Sequence, residues 1–537
     1  MISEWGPTLF RARRIRQRKI AASRATALAL PEIARKSAMN RLESTLFFAL
    51  AFLGMVTMLA TSLSATPAAA DYDLVLSNGR VMDPESGLDA IRYVGIRDGK
   101  IAAISQERIS GRQEIDASGR VVAPGFIDLH AHGQRAFEAG LQALDGVTTQ
   151  LELEIGVYPV TAWYEARRGS APINFGASVG HLPIRQMILS GLTEEDMTNQ
   201  DIRDRIFTQR NWVDNAASAN QLAAMEQRVQ QGLDEGGLGV GYGINYTAGA
   251  TREEIYRMFR VARRNGVINF VHARFMNQNE LGGSVDAVQE VIADAAITGA
   301  ALHIVHIGSS GGGRVPLLLQ MIDEARENGV DVTTEVYPYT AYSTFLGSAI
   351  FDGDFTRAQG IQYSDIELPE TGERLTRERF EQLRGETPER MVIGHAMREE
   401  NVAMAIAHPG VMIGSDGEKL ANGKGHPRGA GTYARVLGRY VREQRVLTLM
   451  EALAKISYLP ARRLEASVPA MRAKGRIRVG ADADIVVFDP DTVLDRATFA
   501  EPTIPSAGID HVLVNGIAVV RDGQLQTGVN PGLGIRR

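Results

Sequence analysis

Cysteine does not occur in this chain of 537 residues. Its absence excludes disulfide bonds, zinc–thiolate sites and a cysteine nucleophile. Lysine is also missing from the long stretch between Lys100 and Lys419. The chemistry of the chain therefore has to come mainly from histidine and carboxylate side chains.

The first 70 residues differ from the rest of the chain. A basic run at 11–19 has no apolar periodicity behind it, and we interpret residues 1–38 as an over-extended start. From Met39, a basic residue, an apolar run at 46–63 and three alanines ending at Ala70 follow in the order of a secretory signal peptide with its cleavage site. A membrane anchor is the alternative, because the apolar run is near the shortest length that spans a bilayer. We expect a secreted or periplasmic protein.

The rest of the chain is acidic. Removing residues 1–70, which carry ten Lys and Arg and three Asp and Glu, shifts the formal net charge from −5 to −12. An acidic chain without a basic stripe is a poor nucleic-acid binder. No later segment is long and apolar enough to span a bilayer. The expected partner is therefore a small molecule, and no sequence feature indicates an oligomeric state.

Both ends of the mature chain have the pattern of short strands and tight turns. Four Asx-Gly pairs lie between alternating apolar runs, which is typical of β-hairpins: Asn78-Gly79, Asp98-Gly99, Asn515-Gly516 and Asp522-Gly523. Neither end is long enough to bury a sheet alone. We predict one small β-sandwich domain made from residues 71–124 and 470–537.

Between these ends, residues 125–469 alternate apolar runs with helical patterns. The runs lie at 126–132, 147–155, 173–180, 237–243, 267–272, 301–307, 330–336, 391–395 and 411–415. Eight or nine such units predict an α/β fold with a (β/α)8 TIM-type barrel. The polar segment 340–389 is too long for an ordinary connection, so we predict an insertion that covers the active site.

Histidines and an aspartate stand at the ends of four of these runs. The run "PGFIDLHAH" ends in His130 and His132, whose side chains point to the same side of a strand. His272 ends "GVINFVH", His306 ends "ALHIVH" and Asp416 ends "GVMIGSD". The carboxyl ends of barrel strands meet at one mouth, and these residue types suit zinc. The sequence predicts a metal site there, whereas His303, on the opposite strand face, is expected to be structural.

The chain resembles the amidohydrolase superfamily and, within it, the N-acyl-D-amino-acid deacylases (D-aminoacylases). The matching segments include "YDLVLSNGRVMDPESG", "PGFIDLHAH", "DGVTT", "EVYPYTAYST", "HPRGAGTYARVLGRYVRE" and "RIRVGADADIVVFDPDTVLDRATF", and they extend over about 72–535. The resemblance implies a barrel flanked by a small β-sandwich and a cofactor of one or two zinc ions. It also implies hydrolysis of a linear amide by metal-activated hydroxide, with Asp416 as general base and then general acid.

The sequence departs from the family where the metals are bridged. Relatives use a carboxylated lysine or, in the D-aminoacylases, a cysteine after the "GVTT" strand, and neither residue is available here. The strand instead reads "QLELEIG", with Glu152 and Glu154, and Ile155 occupies the cysteine position. Acids in a buried strand are costly unless a cation or metal pairs with them. We predict Glu154 as the bridging ligand, with Glu152 as the alternative.

Substrate-binding residues follow from the same resemblance. Arg428 matches the arginine that holds the substrate carboxylate, a task that suits a bidentate guanidinium. Tyr337 and Ser343 match positions that touch the substrate. Arg274, two residues beyond His272, and His395, at the end of "RMVIGH", are further candidates for the pocket; His181, at the end of "SVGH", is expected either to line the pocket or to close a turn.

Three other functions stay open. A dipeptidase or a hydrolase of cyclic amides such as hydantoins could use the same metal chemistry. A substrate with a free carboxylate is favoured by the Arg428 match. A metal-free binding relic of the barrel is the non-enzyme alternative, and intact ligand residues at four strand ends argue against it.

Overall fold

The computed structural model describes residues 71–199, 201–203 and 209–537. The predicted signal peptide lies outside these residues. Among the helices of the described residues, none combines the length and the hydropathy that crossing a bilayer requires.

Three sheets organise the described residues. In chain order their strands are β1 (Tyr72–Asp83), β2 (Leu88–Arg97), β3 (Lys100–Ser105), β4 (Gly111–Asp116), β5 (Val121–Pro124), β6 (Phe126–Asp128), β7 (Val147–Val157), β8 (Asn174–Gly180), β9 (Gly239–Gly243), β10 (Ile268–His272), β11 (Ala301–Ile304), β12 (Val332–Val336), β13 (Tyr342–Phe345), β14 (Ile366–Leu368), β15 (Glu373–Arg374), β16 (Met391–Gly394), β17 (Val411–Ile413), β18 (Ile485–Phe488), β19 (Ile509–Val514), β20 (Ile517–Arg521) and β21 (Gln524–Leu525).

The central sheet is a barrel of parallel strands in the order β6-β7-β8-β9-β10-β11-β12-β17. Its first and last strands meet through a bridge between Ala131 and Gly417. The Asp128 carboxylate supports this junction, because it accepts the backbone N–H groups of His130 and Ser415 at 3.0 Å each. The predicted TIM-type barrel is confirmed.

Helices occupy the connections between barrel strands and follow the last one. They span Ala136–Leu144, Val160–Glu165, His181–Leu189, Asn211–Asp214, Ala219–Asp234, Arg252–Asn265, Ser284–Thr298, Ile307–Gly311, Val315–Glu327, Phe355–Gln359, Arg377–Glu386, Glu399–Ala407, Arg428–Arg435, Leu449–Leu453 and Leu459–Leu464. Apolar residues of these helices and of the strands form the main core. The carboxyl ends of the strands are thereby left as the open mouth that is usual for this fold.

The prediction that run 391–395 is a barrel strand is wrong. Residues 391–394 form β16, which pairs antiparallel with β13 and β14 in a four-stranded sheet of the inserted region. An apolar run of this length has no feature that separates a barrel strand from a strand of a small side sheet. The side sheet has its own apolar core, which includes Phe351, Phe355 and Phe380.

Both chain ends contribute to a nine-stranded sheet in the order β21-β20-β19-β18-β5-β1-β2-β3, with β4 paired to β1. Side chains from the two ends enclose a common core, as Val94 and Ile485 illustrate. The pairs Asp98-Gly99, Asn515-Gly516 and Asp522-Gly523 connect paired strands, so these three hairpins are confirmed.

The hairpin predicted at Asn78-Gly79 is wrong. This pair lies inside β1, where the register with β2 shifts between Leu76 and Gly79. On its other edge, β1 pairs with β4 before this point and with β5 after it. The bulge therefore marks a change of partner strand. A Cβ on Gly79 would lie 2.4 Å from Val122 Cγ2, so the position has room only for glycine.

Candidate metal centre and substrate cavity

The residues predicted as metal ligands converge at the mouth of the barrel. His130 and His132 follow β6, Glu154 lies in β7, His272 ends β10, and the last two, His306 and Asp416, follow β11 and β17. His132 is half-buried and the others are buried. Their side chains form two groups in which all candidate ligand atoms lie within 4.8 Å of one another.

The first group joins the two histidines of β6 to Glu154 and Asp416. His130 Nε2 lies 3.0 Å from Glu154 Oε2 and 3.1 Å from His132 Nε2. Asp416 Oδ1 lies 3.3 Å from His130 Nε2 and 3.4 Å from His132 Nε2. These atoms surround one point from separate strands.

The second group uses the other oxygen of the same carboxylate. Glu154 Oε1 contacts His272 Nδ1 and lies 3.2 Å from His306 Nε2, and these two nitrogens are 3.1 Å apart. Glu154 thus faces both groups, one oxygen to each. Glu152 Oε2 instead lies 2.8 Å from His132 Nδ1, on the outer side of that imidazole.

Each imidazole has its second nitrogen against an outer partner. His130 Nδ1 contacts Glu335 Oε1 at 2.6 Å, and His306 Nδ1 contacts Ser310 Oγ at 3.1 Å. His272 Nε2 lies 2.9 Å from the sulfur of Met276. Such outer contacts fix the ring orientation and the tautomer of metal-binding histidines.

The electrostatics of the two groups favour a cation. Burial opposes protonation of His130, but the negative charges of Asp416 and Glu154 outweigh it and hold its pKa well above the ordinary value. Burial would raise the pKa of Glu154, yet the neighbouring His130 and His272 hold that pKa well below its usual range. A bound divalent cation satisfies the same carboxylates.

Two of these residues have left-handed backbone angles. His306 has φ of +31° and Asp416 has φ of +54°. This region is uncommon for residues other than glycine and costs about 1–3 kcal/mol. These two residues follow barrel strands, and their side chains point into the mouth of the barrel.

The arrangement fits zinc by distance and by donor type. Zinc–ligand bonds of about 2.0–2.1 Å place tetrahedral ligand atoms about 3.3 Å apart. The separations within the first group, from 2.9 to 3.4 Å, agree with this value. Imidazole and carboxylate are ordinary zinc ligands, and Glu154 is the residue that the two groups share.

A cavity of about 810 Å³ lies over the two groups. Of the predicted substrate-binding residues, Arg428, Tyr337 and Ser343 line it. Arg428 Nη1 lies 2.7 Å from Asp416 Oδ2, and its guanidinium stands over the Tyr337 ring, 4.9 Å from the ring centre. Arg428 Nε is buried and has no hydrogen-bond partner among the described residues.

Other predicted residues have their polar atoms engaged elsewhere. Arg274 pairs with both carboxylate oxygens of Glu290, at 2.7 and 2.9 Å. His395 Nε2 lies 3.0 Å from Glu367 Oε2, next to the side sheet. Neither Arg274 nor His395 is among the residues that line the cavity.

Two further histidines considered in the sequence analysis, His181 and His303, are buried in the barrel. His181 Nε2 lies 2.7 Å from Glu254 Oε1, a carboxylate that also pairs with Arg185. His303 Nδ1 contacts Thr333 Oγ1 at 2.8 Å, and His303 Nε2 lies 3.3 Å from Glu335 Oε2. His303 therefore lies behind His130, on the far side of Glu335.

Sequence reasoning missed Glu335, Glu418 and Ser309. Glu335 lies in β12 behind His130, while Glu418 and Ser309 line the cavity. An acid inside the apolar strand "VTTEV" is the same signal that identified Glu152 and Glu154, and it could have identified Glu335. Glu418 lies in a loop and Ser309 in the short helix Ile307–Gly311, and neither position has such a signal.

The family comparison agrees with this geometry. The model of the "Amidohydrolase family" matches residues 113–520. The chain belongs to the amidohydrolase family. It is 35% identical to an N-acyl-D-glutamate deacylase of Alcaligenes xylosoxydans xylosoxydans over 83% of this chain and 93% of that protein. A D-aminoacylase of the same organism is 29% identical over 86% of this chain and 97% of that protein.

A solved structure of an amidohydrolase gives the same picture. The N-acyl-D-glutamate deacylase from Bordetella bronchiseptica, complexed with zinc and a phosphonate inhibitor, matches with a TM-score of 0.72 and 32% identity over 87% of this chain and 100% of that chain. Within the family, the chain therefore belongs with the N-acyl-D-amino-acid deacylases. An L-hydantoinase from Arthrobacter aurescens and a D-hydantoinase from a Bacillus species match at 15% and 19% identity, each with a TM-score of 0.56, which shows the shared fold alone.

Proposed function

We propose that this amidohydrolase removes the acyl group from N-acyl-D-amino acids in a zinc-dependent reaction. The observation that carries the proposal is the position of Glu154 between two groups of imidazole and carboxylate atoms beneath an 810 Å³ cavity. The relatives at 35% and 29% identity are deacylases of this substrate class. The bond cleaved is a carbon–nitrogen bond of a linear amide.

His130, His132, Glu154 and Asp416 would hold one zinc ion, and His272 and His306, with the second oxygen of Glu154, would hold another. Zinc bound there lowers the pKa of water toward 7 and polarises a carbonyl group. Glu152 and Glu335 orient His132 and His130 through their outer nitrogens.

Asp416 has the place and the charge of the general base. Burial would raise its pKa, but the positive charges of Arg428 and His130 hold that pKa below the ordinary value. The carboxylate is therefore ionised at neutral pH and accepts the proton of the attacking water. The same carboxyl group then donates this proton to the leaving amine.

Arg428 and Tyr337 have the place and the donors to bind the substrate carboxylate. Both side chains line the cavity, and the guanidinium of Arg428 adds positive charge there. Ser343 lines the same cavity, although its hydroxyl donates to the Val392 carbonyl at 3.2 Å. A free carboxylate on the substrate is the matching group.

A substrate panel tests this proposal. Purified, zinc-loaded protein is incubated with paired N-acetyl-D- and N-acetyl-L-amino acids, with dipeptides and with a hydantoin, and product release is measured. We expect turnover of the N-acetyl-D-amino acids. Hydrolysis of only the dipeptides or only the hydantoin would contradict the proposal, and protein that purifies without zinc and turns over nothing would indicate a binding relic.

We also propose that the chain is exported. The support is the order of basic residue, apolar run and alanines between Met39 and Ala70. N-terminal sequencing of the protein from its native cell tests this point, and we expect the mature chain to begin at Asp71.

A further inference from the structure

The cavity over the metal centre has two sides of different chemistry. Arg428, Tyr337 and Ser309 lie on the side of β11, β12 and β17 and present polar groups. The opposite side, beside β7, β8 and β9, is formed by apolar and aromatic side chains: Ile155, Leu182, Trp212 and Tyr246. The candidate metal centre lies between the two sides.

The apolar side is a hydrophobic cluster separate from the barrel core. Leu182, Trp212 and Val213 are buried together, and Ile155 and Tyr246 pack against them. Trp212 has only 1% of its surface exposed, so this indole belongs to a fixed wall. Because the cluster borders the cavity directly, it offers apolar surface to whatever occupies the cavity.

The apolar surface continues away from the metal centre. Phe345 of the inserted region stacks on Tyr246 with ring centres 5.8 Å apart. Trp212, Tyr246 and Phe345 also line a neighbouring cavity of about 340 Å³, together with Val213. Charged side chains also line this second cavity: Arg210, Asp352, Arg384 and Glu389. A chain of several methylenes that leaves the metal centre on this side therefore contacts Trp212, Tyr246 and Phe345 before it reaches these charged groups.

The orientation of the substrate follows from the two sides. In an N-acyl-amino acid the carboxylate and the acyl group lie on opposite sides of the amide bond. With the carboxylate at Arg428 and the amide carbonyl at the metal centre, the acyl group points toward Leu182 and Trp212. We infer that the preferred substrates carry a medium-chain fatty acyl group, bound against Leu182, Trp212, Tyr246 and Phe345; this inference rests on the proposed deacylase function.

A series of acyl lengths tests the inference. The zinc-loaded full-length enzyme is assayed with N-acetyl-, N-butyryl-, N-hexanoyl- and N-octanoyl-D-methionine and with the same acyl series on D-glutamate. Burying a methylene is worth about 0.8 kcal/mol, which corresponds to about a fourfold change for each added methylene. We expect kcat/KM to rise at least about tenfold from the acetyl to the hexanoyl substrate.

Variants of the apolar wall test whether it binds the acyl group, separately from whether the enzyme is active. Trp212→Ala removes part of the wall and should flatten the dependence of kcat/KM on acyl length. Leu182→Phe adds bulk to the wall and should lower the ratio of octanoyl to acetyl kcat/KM at least about tenfold. Leu233→Ala, in the core away from the cavity, is the matched control for lost stability and should keep the wild-type dependence on acyl length.

Each possible outcome decides between the proposals. Turnover of short and long acyl substrates at equal rates, or an unchanged length dependence in both wall variants, would overturn the acyl-group inference and leave the deacylase function in place. Absence of turnover for every member of both series would overturn the deacylase function and, with it, this inference.

Discussion

Glu335 Oε1 lies 2.6 Å from His130 Nδ1, on the side of the imidazole that faces away from the metal centre. The side chains of Glu335 and His130 are almost fully buried. Burial would raise the pKa of Glu335, but the adjoining His130 lowers it to about 2, so the carboxylate is ionised and accepts the Nδ1 proton. A zinc ion bound at the centre would replace the proton of His130 Nε2, while Nδ1 keeps its proton and donates it to the Glu335 carboxylate in a hydrogen bond.

Glu335→Gln is expected to weaken zinc binding about 10- to 100-fold, because outer carboxylates of metal-binding histidines contribute this much. Zinc affinity is measured by competition with a chelator, and activity should return when zinc is added in excess. Glu367→Gln is the matched control, since Glu367 holds His395 in the same kind of pair at 3.0 Å away from the centre. Equal zinc affinity in the Glu335 variant and the control would contradict the role of Glu335.

We expect substitutions of Glu154 and Glu152 to differ in their effect on zinc binding. Glu154→Gln removes the carboxylate that faces both groups, so we expect loss of bound zinc and of activity that excess zinc does not restore. Glu152→Gln affects only the outer contact of His132, and excess zinc should restore its activity. Zinc content by mass spectrometry and activity at two zinc concentrations check both results; the reverse order of effects would assign the bridge to Glu152.

Much of the fold was predictable from local patterns. Buried parallel strands are continuous apolar runs, and eight of the nine runs in residues 125–469 are barrel strands. Two errors have physical causes. The run at 391–395 is as apolar as a barrel strand but pairs with the inserted region, and Asn78-Gly79 has the composition of a turn but forms a bulge inside β1.

The candidate site was also predictable in part. Residues at strand ends could be identified, because the barrel places those ends at one mouth. The positions of Arg274 and His395 depend on Glu290 and Glu367, which are distant in sequence, and no local pattern reveals such pairs. Trp212 of the apolar wall lies in the connection between β8 and β9 rather than in a strand, so strand periodicity gave no signal for it.

Asp416→Asn should abolish most of the turnover without unfolding the protein. The amide cannot accept the proton of water, and loss of a general base costs about 10²–10⁴ in rate. We expect this decrease in kcat. Zinc content and melting temperature are measured on the same protein to check that it stays folded. A variant that retains zinc and full kcat would remove Asp416 from the mechanism.

Arg428→Lys is expected to impair recognition of the substrate carboxylate. A lysine keeps the charge but loses the planar set of donors, and a hydrogen bond to a charged group is worth about 1.5–3 kcal/mol. The wild-type enzyme should therefore prefer an N-acyl-amino acid over its carboxamide by about 10- to 100-fold in kcat/KM. In the variant this preference should shrink, and an unchanged preference would place the carboxylate elsewhere.

We expect the buried carboxyl group of Asp145 to make the free energy of unfolding depend on pH. Burial raises its pKa from 3.8 to about 7, although Ser506 and the backbone N–H groups of Tyr433 and Ala434 donate to the carboxylate. When the pKa of a group is higher in the folded than in the unfolded protein, the group stabilises the fold, and this stabilisation is complete at pH values below the unfolded-state pKa. That contribution is lost as the pH rises through the folded pKa.

The free energy of unfolding of the wild type, relative to Asp145→Asn, should therefore decrease as the pH rises from 4 to 8. A shift of this size corresponds to at most about 4 kcal/mol. Denaturant unfolding of both proteins at several pH values checks the slope. Asp491→Asn, at an exposed position, is the control and should give a curve parallel to the wild type. A relative stability that instead increases with pH would show that Asp145 is ionised and held by its donors, because only a lowered pKa gives that sign.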